Sequence, residues 1–325
     1  MAYARSHMII WFGSAALITA LAFAPIFVSD YWLSYLINML CYTALATAWR
    51  IFSGPTRYFS LAVAAFFGVG AYVIAVSYES MPLYASFALA GAVGVVLALI
   101  VGATTLRVSG IHFVIFTFGL TELIRELAIW WEINQTKTVG RYVLIDFSNV
   151  MIYLHLLGLT AIVFLVGYLV ERSKVGTALQ VIGEDETVAD QCGINRSGIK
   201  IFAFVISAVL MTLVGAVMAP RWSYIAPNTV FNAMVSFQVV IMALLGGMHR
   251  LWGPVLGVIP MIILSEFLST TFPRAYAILL GAVFLFVVYF LPHGIAGVME
   301  PLWHRYKAWR TSPRSPTVNA GGAGQ

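Results

Sequence analysis

Residues 171–200 read ERSKVGTALQVIGEDETVADQCGINRSGIK and form the one long polar interruption in an otherwise apolar sequence. The stretch carries five acidic and four basic side chains, and it lies between apolar runs at residues 150–170 and 201–219. Charged groups are costly inside hydrocarbon, so a polar stretch held between two hydrophobic spans must lie in water on one face of a bilayer. We therefore expect a soluble partner to contact the membrane-embedded part of the chain here.

The composition around this stretch is that of a membrane protein. Of the 325 residues, 61% are hydrophobic and 10% are charged, and the mean hydropathy is +0.91; a soluble domain carries about 25% charged residues. A spanning helix needs roughly 20 apolar residues, and such runs recur along the chain. The sequence predicts an all-α polytopic membrane protein with about ten transmembrane or re-entrant helical segments and one central cytoplasmic loop. These segments are residues 8–28, 31–49, 58–78, 83–106, 111–131, 150–170, 201–219, 231–247, 252–271 and 275–291.

The basic residues predict the orientation of these segments. If the 171–200 loop is cytoplasmic and the segments alternate, 13 of the 18 Lys and Arg residues fall on the cytoplasmic side, 4 fall outside and Arg125 lies within a span. This bias follows the positive-inside rule and predicts that both termini and the central loop are cytoplasmic. The net charge of +5 does not indicate a nucleic-acid-binding protein, because the basic residues are scattered between the spans. We predict one transmembrane domain over residues 1–310 and a disordered tail over 311–325, which is rich in Pro, Ser, Gly and Ala.

The first part of the central loop predicts a short amphipathic helix. Val175, Leu179 and Ile182 recur at the spacing that places side chains on one helix face. We expect Gly183 to end this helix. At the far end of the loop, Ser197 is expected to cap the next span.

A second short helix is predicted after the first. Its start contains three consecutive acidic residues, Glu184, Asp185 and Glu186. Negative charge at the N-terminus of a helix interacts favourably with the helix dipole. We expect the helix to run to Cys192, with Gly193 at the position after the cap. About eight residues are too few to stay helical alone in water, so something must hold this helix. Two alternatives are open: it lies on the membrane face of its own chain, or it inserts into the groove of a partner.

Residues 186–195, ETVADQCGIN, resemble the cytoplasmic coupling loop of bacterial ABC importer permeases, which carries Glu-Ala-Ala, three variable residues and then Gly. Val188 stands where that family usually has Ala. The wider stretch GTALQVIGEDETVADQCGIN is similar to the branched-chain amino-acid importer permeases over its whole length. The stretches AAFFGVGAY (64–72), LRVSGIHFVIFTFGLTELIRE (106–126) and LLGGMHRLWGPVLG (244–257) resemble the same family, so the resemblance covers about residues 35–290.

This resemblance implies a permease subunit of an ATP-driven, binding-protein-dependent importer in the bacterial inner membrane, for branched-chain or related amino acids. Its expected partners are a second permease subunit of similar fold, two cytoplasmic ABC ATPase subunits and a periplasmic substrate-binding protein. The chain itself has no GxxxxGK[ST] motif, so ATP would be bound by the partners, and no cofactor and no enzyme activity are expected of this subunit. The residues expected to couple the ATPase to the permease are Glu184, Asp185, Glu186, Ala189, Asp190 and Gly193.

Two regions rich in Gly and Pro are candidates for the substrate pathway. One combines the break at 53–55 with Phe66, Gly68 and Gly70, and the other contains Gly246 and Gly247. Paired breaks in two halves of a chain are typical of transporters with a site at the membrane midplane. The alternative is close helix packing through small residues.

Polar residues within spans are the other pathway candidates. Glu122, Arg125 and Glu126 share one face of the fifth segment, and Gln238 lies in a long apolar run. Two alternatives are open for these four residues. They line a polar path, or they are structural. In the structural alternative the charged residues form an ion cluster that fixes the fifth segment at the membrane interface, and Gln238 joins two helices.

Other functions fit the sequence less well. A stand-alone secondary transporter or channel for a small polar solute, including urea or amides, would share the apolar spans but does not account for the coupling pattern. An intramembrane enzyme is not favoured, because HExxH, GxSxG and paired in-membrane aspartates are absent. The two cysteines, Cys41 and Cys192, predict neither a disulfide nor a metal site.

Overall fold

The computed structural model of the protein describes residues 19–290 except 109 and 146, together with residues 294, 295 and 297. The first predicted segment is described from residue 19 and is helical over 19–27 (α1). Several predictions fall outside the described residues. These are the part of the first segment before residue 19, both termini, the last residue of the tenth segment and the predicted disordered tail at 311–325.

Almost all of the described chain is helical. The helices that follow α1 are α2 (Asp30–Thr56), α3 (Val63–Ser77), α4 (Leu83–Thr105), α5 (Ile111–Thr136), α6 (Asn149–Arg172), α7 (Lys174–Glu184), α8 (Glu186–Gln191), α9 (Arg196–Met218), α10 (Pro227–Val230), α11 (Ala233–Gly246), α12 (Gly253–Thr271) and α13 (Tyr276–Phe290). A 3₁₀ turn follows α9 at Ala219–Arg221. Two short strands, β1 (Arg141–Tyr142) and β2 (Tyr224–Ile225), pair antiparallel with Arg141 opposite Ile225.

The lengths and composition of these helices confirm an all-α membrane protein. Within the described residues, five helical stretches are long and apolar enough to cross a bilayer: Leu83–Thr105, Asn149–Arg172, Arg196–Arg221, Pro227–Gly246 and Gly253–Thr271. Two more apolar helices, α3 and most of α13, are shorter. Every predicted segment contains a helix in its described part, but ten full spans are not established, and that number stays a prediction.

The helix ends gather at two ends of the bundle. At the first, Arg50 Nε and Nη2 donate to the carbonyl oxygens of Met248 and His249, at 2.8 and 3.0 Å, and Arg50 pairs with Glu171 at 2.5 Å. These contacts join the ends of α2 and α6 to the α11–α12 connection, and we call this the loop end because it also carries α7 and α8. At the other, the strand end, the Tyr78 hydroxyl donates to the Tyr142 carbonyl oxygen of β1 at 3.1 Å.

A segment without helix or strand, residues 58–62, enters the bundle between α2 and α3, and we call it the extended segment. α2 ends at Arg57, whose φ of 58° is left-handed. The chain then runs back alongside α2, where Trp49 Nε1 donates to the Ser60 carbonyl oxygen at 2.8 Å. α3 therefore starts at Val63, inside the protein, where Ala62 and Val63 are fully buried.

Side-chain hydroxyls satisfy the backbone of this extended segment. The Leu61 N–H donates to Thr117 Oγ1 at 3.0 Å, and the Leu61 carbonyl accepts from Thr121 at 3.3 Å and from Ser236 at 2.8 Å. Ser236 Oγ also accepts from the Ala64 N–H at 2.9 Å. Irregular backbone at membrane depth is tolerated only where protein supplies its hydrogen bonds, and α5 and α11 supply them here.

Three predicted boundaries are wrong. The Ser-Gly-Pro stretch at 53–55 does not break α2, which continues to Thr56 because Pro55 lies in its last turn. Gly183 does not end α7; the helix ends one residue later because Asp185 is extended, with φ −154°. Asn195, not Ser197, caps α9, since its side chain accepts the Gly198 N–H at 3.1 Å.

Candidate functional site

α7 is packed onto the loop end of α2. Leu179 and Ile182 are 0% and 2% exposed, so the predicted apolar face is buried, as expected of an amphipathic helix. A Cβ atom on Gly183 would overlap the Pro55 carbonyl oxygen, so only glycine allows this close approach of α7 to α2. The central loop therefore lies against its own helices instead of extending freely into solvent.

The N-terminus of α8 is capped by Asp185. Its Oδ1 accepts the backbone N–H groups of Thr187 and Val188, at 2.7 and 3.3 Å. Such caps satisfy donors that the first helical turn leaves unpaired. The same hydrogen bonds favour the ionised carboxylate and lower the pKa of Asp185 below its ordinary value.

The C-terminus of α8 ends in a Schellman motif. Gly193 is left-handed with φ +73°, and its N–H donates to the Asp190 carbonyl at 3.0 Å. The Ile194 N–H donates to the Ala189 carbonyl, also at 3.0 Å, so both bonds of the motif are present. The prediction that Gly193 follows the cap is confirmed, with Cys192 as the cap and Gln191 as the last helical residue.

Glu186 anchors α8 to the rest of the molecule. Its carboxylate pairs with Lys200 and with Arg196, each at 3.0 Å, and it accepts a hydrogen bond from the Tyr58 hydroxyl. Lys200 belongs to α9, is 3% exposed, and also lies over the Tyr58 ring at 4.6 Å from its centroid. Tyr58 is the first residue of the extended segment, so one carboxylate connects α8, α9 and the entry to α3.

Partial burial and polar partners act in opposite directions on the pKa of Glu186. Desolvation raises it, but the hydrogen bonds from Tyr58 and Lys200 and the charges of Lys200 and Arg196 lower it by more. The net pKa lies below the ordinary value, so the carboxylate is ionised at neutral pH and its ion pairs are formed.

The six predicted coupling residues divide by position. Ala189 is fully buried on the inner face of α8. Glu184 and Asp190 are exposed, and Asp190 pairs with Arg196 at 3.2 Å. With Glu186 as the anchor and Asp185 and Gly193 as the caps, the structure brings all six together around one short helix, although it does not test their coupling role.

Sequence reasoning did not identify Val188, Tyr58 and Lys200 as site residues. Val188 is 47% exposed on the outer face of α8, where an apolar side chain has no partner within the chain's own core. The sequence does carry a signal for Val188, because this residue lies within the stretch 186–195 that resembles the coupling loop. Tyr58 and Lys200 give no such signal, because they meet Glu186 from 128 and 14 positions away.

The glycines proposed for the pathway lie at helix contacts. A Cβ atom on Gly70 would overlap the Thr212 carbonyl oxygen of α9, and one on Gly246 would overlap the Gly253 carbonyl oxygen of α12. Gly68 lies against the Phe231 ring, and Gly247 caps α11 with a positive φ of 104°. These positions favour the small-residue packing alternative.

The remaining pathway candidates also make contacts within the chain. Phe66 is 1% exposed and packs edge-on against Phe204. Gln238 accepts from the Tyr42 hydroxyl at 2.6 Å and donates to the Tyr276 hydroxyl at 2.8 Å, so it joins α2, α11 and α13. Their role in a pathway stays a prediction.

The fifth-segment charges form a cluster on α5. Arg125 pairs with Glu122 at 2.7 Å and with Glu126 at 3.0 Å. Their side chains are 30%, 33% and 62% exposed, in the order Arg125, Glu122, Glu126, so the cluster lies at the surface of this chain and not inside its helix bundle.

Comparisons with known proteins agree with the resemblance seen in the sequence. The family described as "Branched-chain amino acid transport system / permease component" matches residues 31–288. The high-affinity branched-chain amino acid transport system permease proteins LivM of Salmonella typhimurium and of Escherichia coli are each 24% identical over 296 residues, which cover 81% of this chain and 69% of theirs. BraD of Pseudomonas aeruginosa, a permease protein of the same description, is 27% identical over 132 residues, covering 40% of this chain and 42% of its own. No solved structure matches the chain.

The chain belongs to the family of branched-chain amino acid transport permeases, as an integral inner-membrane protein of the LivM-like kind.

Proposed function

We propose that this chain is the membrane-spanning subunit of an ATP-driven, binding-protein-dependent importer for branched-chain or related amino acids. It works with a second permease subunit of similar fold, two cytoplasmic ABC ATPase subunits and a periplasmic binding protein. The loop end and both termini face the cytoplasm, and the chain crosses the bilayer in about ten segments. The family and the names of LivM and BraD support the transport role and the class of substrate.

The observation that carries the proposal is the construction of α8. A helix of six residues is too short to persist by itself, yet this one is capped at both ends and anchored through Glu186. Its outer face carries the exposed side chain of Val188. A rigid, exposed short helix is suited to insertion into the groove of a partner, which is how a helix-in-groove contact forms.

The contacts of Glu186 supply a route by which α8 moves the spans. Force applied to α8 reaches α9 through Lys200 and reaches the extended segment through Tyr58. α9 in turn contacts α3 directly, because Gly70 of α3 and Gly215 of α9 bring the two backbones together. Closure of the ATPase dimer would therefore tilt α9 and α3 as one rigid body and open the pathway to one side.

Reconstitution tests this function. The chain would be purified with its co-encoded partners, placed in proteoliposomes, and assayed for ATP hydrolysis with the binding protein and single solutes. Leucine, isoleucine and valine are expected to stimulate hydrolysis and to be taken up. Uptake of a solute by this chain without any ATPase would contradict the proposal and favour a stand-alone transporter.

A matched pair of variants tests the docking role of α8. Val188→Asp places a charge on the outer face of α8 and is expected to reduce co-purified ATPase at least tenfold, since an apolar contact is lost and a charge is desolvated. Met81→Asp makes the same kind of change at an exposed apolar residue in the α3–α4 connection, near the strand end, and is expected to leave assembly intact. Equal loss in both variants, or in neither, would count against docking through α8.

A further inference from the structure

The charge cluster on α5 lies near the centre of that helix. Glu122 is separated from Ile111 by about 16 Å and from Thr136 by about 21 Å, at the usual helical rise. Arg125 and Glu126 follow within the next turn. Among the helices that the structure describes, α5 is alone in carrying charged side chains near its centre; the other charged residues are closer to helix ends.

α5 also lies at the edge of the bundle. It packs against α3, α4, α10 and α11 with one side, and only four of its residues are buried: Phe113, Thr117, Thr121 and Glu132. The opposite side, which we call the α5 outer face, contains the cluster together with exposed apolar residues. These apolar residues are Ile115, Leu123, Trp130 and Ile133, which are 62%, 55%, 64% and 50% exposed.

Lipid alone is a poor environment for this face. A charged side chain near the bilayer centre is costly, and such groups normally face other protein or a water-filled cavity. The buried Nε of Arg125 has no hydrogen-bond partner among the described residues, and the Glu126 side chain is 62% exposed although it pairs with Arg125. A protein surface with polar groups would remove this cost, and the large apolar side chains around the cluster suit a protein interface.

The charge of the cluster limits what the covering surface can be. Two carboxylates and one guanidinium give a net charge of −1. A second copy of this chain placed face to face would bring together two clusters of net charge −1, which is unfavourable where the dielectric is low. A different membrane helix that offers a basic or hydrogen-bond-donating side chain would complement the carboxylates.

We infer that the α5 outer face packs against the second permease subunit and that Glu122 and Glu126 meet a cationic or donor group of that subunit there. The inference rests on the proposed function for the existence of the second permease, but the surface itself follows from the position, exposure and charge of the cluster. The charged residues of α5 thus select a different subunit over a second copy of the same chain.

Site-specific photocrosslinking in the assembled transporter tests this surface. A benzoylphenylalanine would replace Leu123, which lies beside the cluster and leaves all three charges in place. Ile162, near the middle of α6 and 51% exposed, is the matched control. We expect irradiation at position 123 to give an adduct that mass spectrometry identifies as the second permease, and at position 162 to give none. An adduct with a second copy of this chain, an equal yield from position 162, or no protein adduct in a complex that still transports would overturn the inference.

A charge reversal gives an independent readout. Glu126→Lys changes the cluster from −1 to +1 and is expected to reduce the co-purified second permease at least tenfold. Glu79→Lys reverses an exposed charge in the α3–α4 connection and should have no effect. Unchanged recovery of the second permease with Glu126→Lys would also overturn the inference. Solute-stimulated ATP hydrolysis by the unmodified complex is measured alongside, so failure of the interface is distinguished from failure of the proposed function.

Discussion

Gly193 shows how much of the site depends on single residues. Its left-handed conformation closes α8, and a Cβ atom there would meet nothing within 4 Å, so a substitution strains the backbone without a steric clash. The six residues of α8 have little helical stability of their own. The effect of a side chain at this position is therefore expected to follow its tolerance of positive φ.

Two substitutions at this glycine are expected to differ. Gly193→Val should cost about 1–2 kcal/mol, because a β-branched residue is poorly tolerated in the left-handed region, and it should strongly reduce ATP-dependent uptake. Gly193→Asn should retain most uptake, since Asn adopts this conformation more readily. Uptake in proteoliposomes is the measurement, with the amount of inserted protein as the control. Equal activity of the two variants would show that the left-handed turn is not needed for coupling.

The sequence predicted the acidic start of α8 and the glycine that follows its C-terminal cap, but not its anchor. Asp185 and Gly193 act on their immediate neighbours, so the local pattern contains the information. Lys200 looked like part of a solvated loop, yet it is 3% exposed because α9 begins at Arg196. Its partner Tyr58 is 142 positions away, and no local pattern indicates that contact.

At the level of elements, the extended segment 58–62 depends on hydroxyls from other helices. Ser236 of α11 is the most connected of them, because it bonds both the Leu61 carbonyl and the Ala64 N–H. The sequence predicted a break near this point from Gly54 and Pro55, but the chain breaks at Arg57. The hydrogen bonds that make an interior break possible come from residues 56 to 175 positions away, so local propensity could not place it.

Removing the Ser236 hydroxyl is expected to destabilise the chain. Ser236→Ala leaves the Ala64 N–H without its acceptor and should cost about 1–3 kcal/mol. Ser265→Ala is the matched control, because the Ser265 hydroxyl is buried without a hydrogen-bond partner in the described structure, so its loss should be neutral or slightly stabilising. Thermal unfolding of the purified chain in detergent would be compared for the two variants. A lower midpoint for Ser265→Ala than for Ser236→Ala would contradict this account of the extended segment.

The contact between α3 and α9 gives a second prediction for elements. Gly70→Ala should destabilise the chain by about 1–3 kcal/mol, because its Cβ overlaps a backbone oxygen of α9 and the helices must separate. Gly158→Ala in α6 meets nothing within 4 Å and should stabilise the helix by about 0.5–1 kcal/mol. Unfolding midpoints should thus move in opposite directions. If both rise, α3 and α9 do not depend on close backbone contact.

Across the whole molecule, the structure groups the loops that the charge pattern assigned to one side. Arg50 contacts both Glu171 and the Met248 carbonyl, although the three residues come from the ends of three different predicted segments. The grouping of these three segment ends was therefore predictable from hydropathy and basic residues, and the full alternation of ten segments stays a prediction. The side of the membrane that each end faces stays a prediction from the distribution of the basic residues.

The two cysteines provide a test of that orientation. Cys41 is buried and Cys192 is exposed beside α8, so the unmodified chain has one reactive thiol at the loop end among the described residues. If the loop end is cytoplasmic, a membrane-impermeant maleimide should label inside-out vesicles and leave intact spheroplasts unlabelled. The chain would be produced without its ATPase subunits, so that no partner covers Cys192.

The matched variant moves the thiol to the other end of the bundle. Thr138→Cys combined with Cys192→Ser places one exposed thiol next to β1, at the strand end. Because helices that connect the two ends cannot place both on the same side of a bilayer, this variant should label in spheroplasts and be protected in inside-out vesicles. Labelling of Cys192 from the outside would reverse the topology and remove α8 from the reach of any ATPase, whereas labelling of both thiols from one side would mean that the helices between them do not cross the membrane.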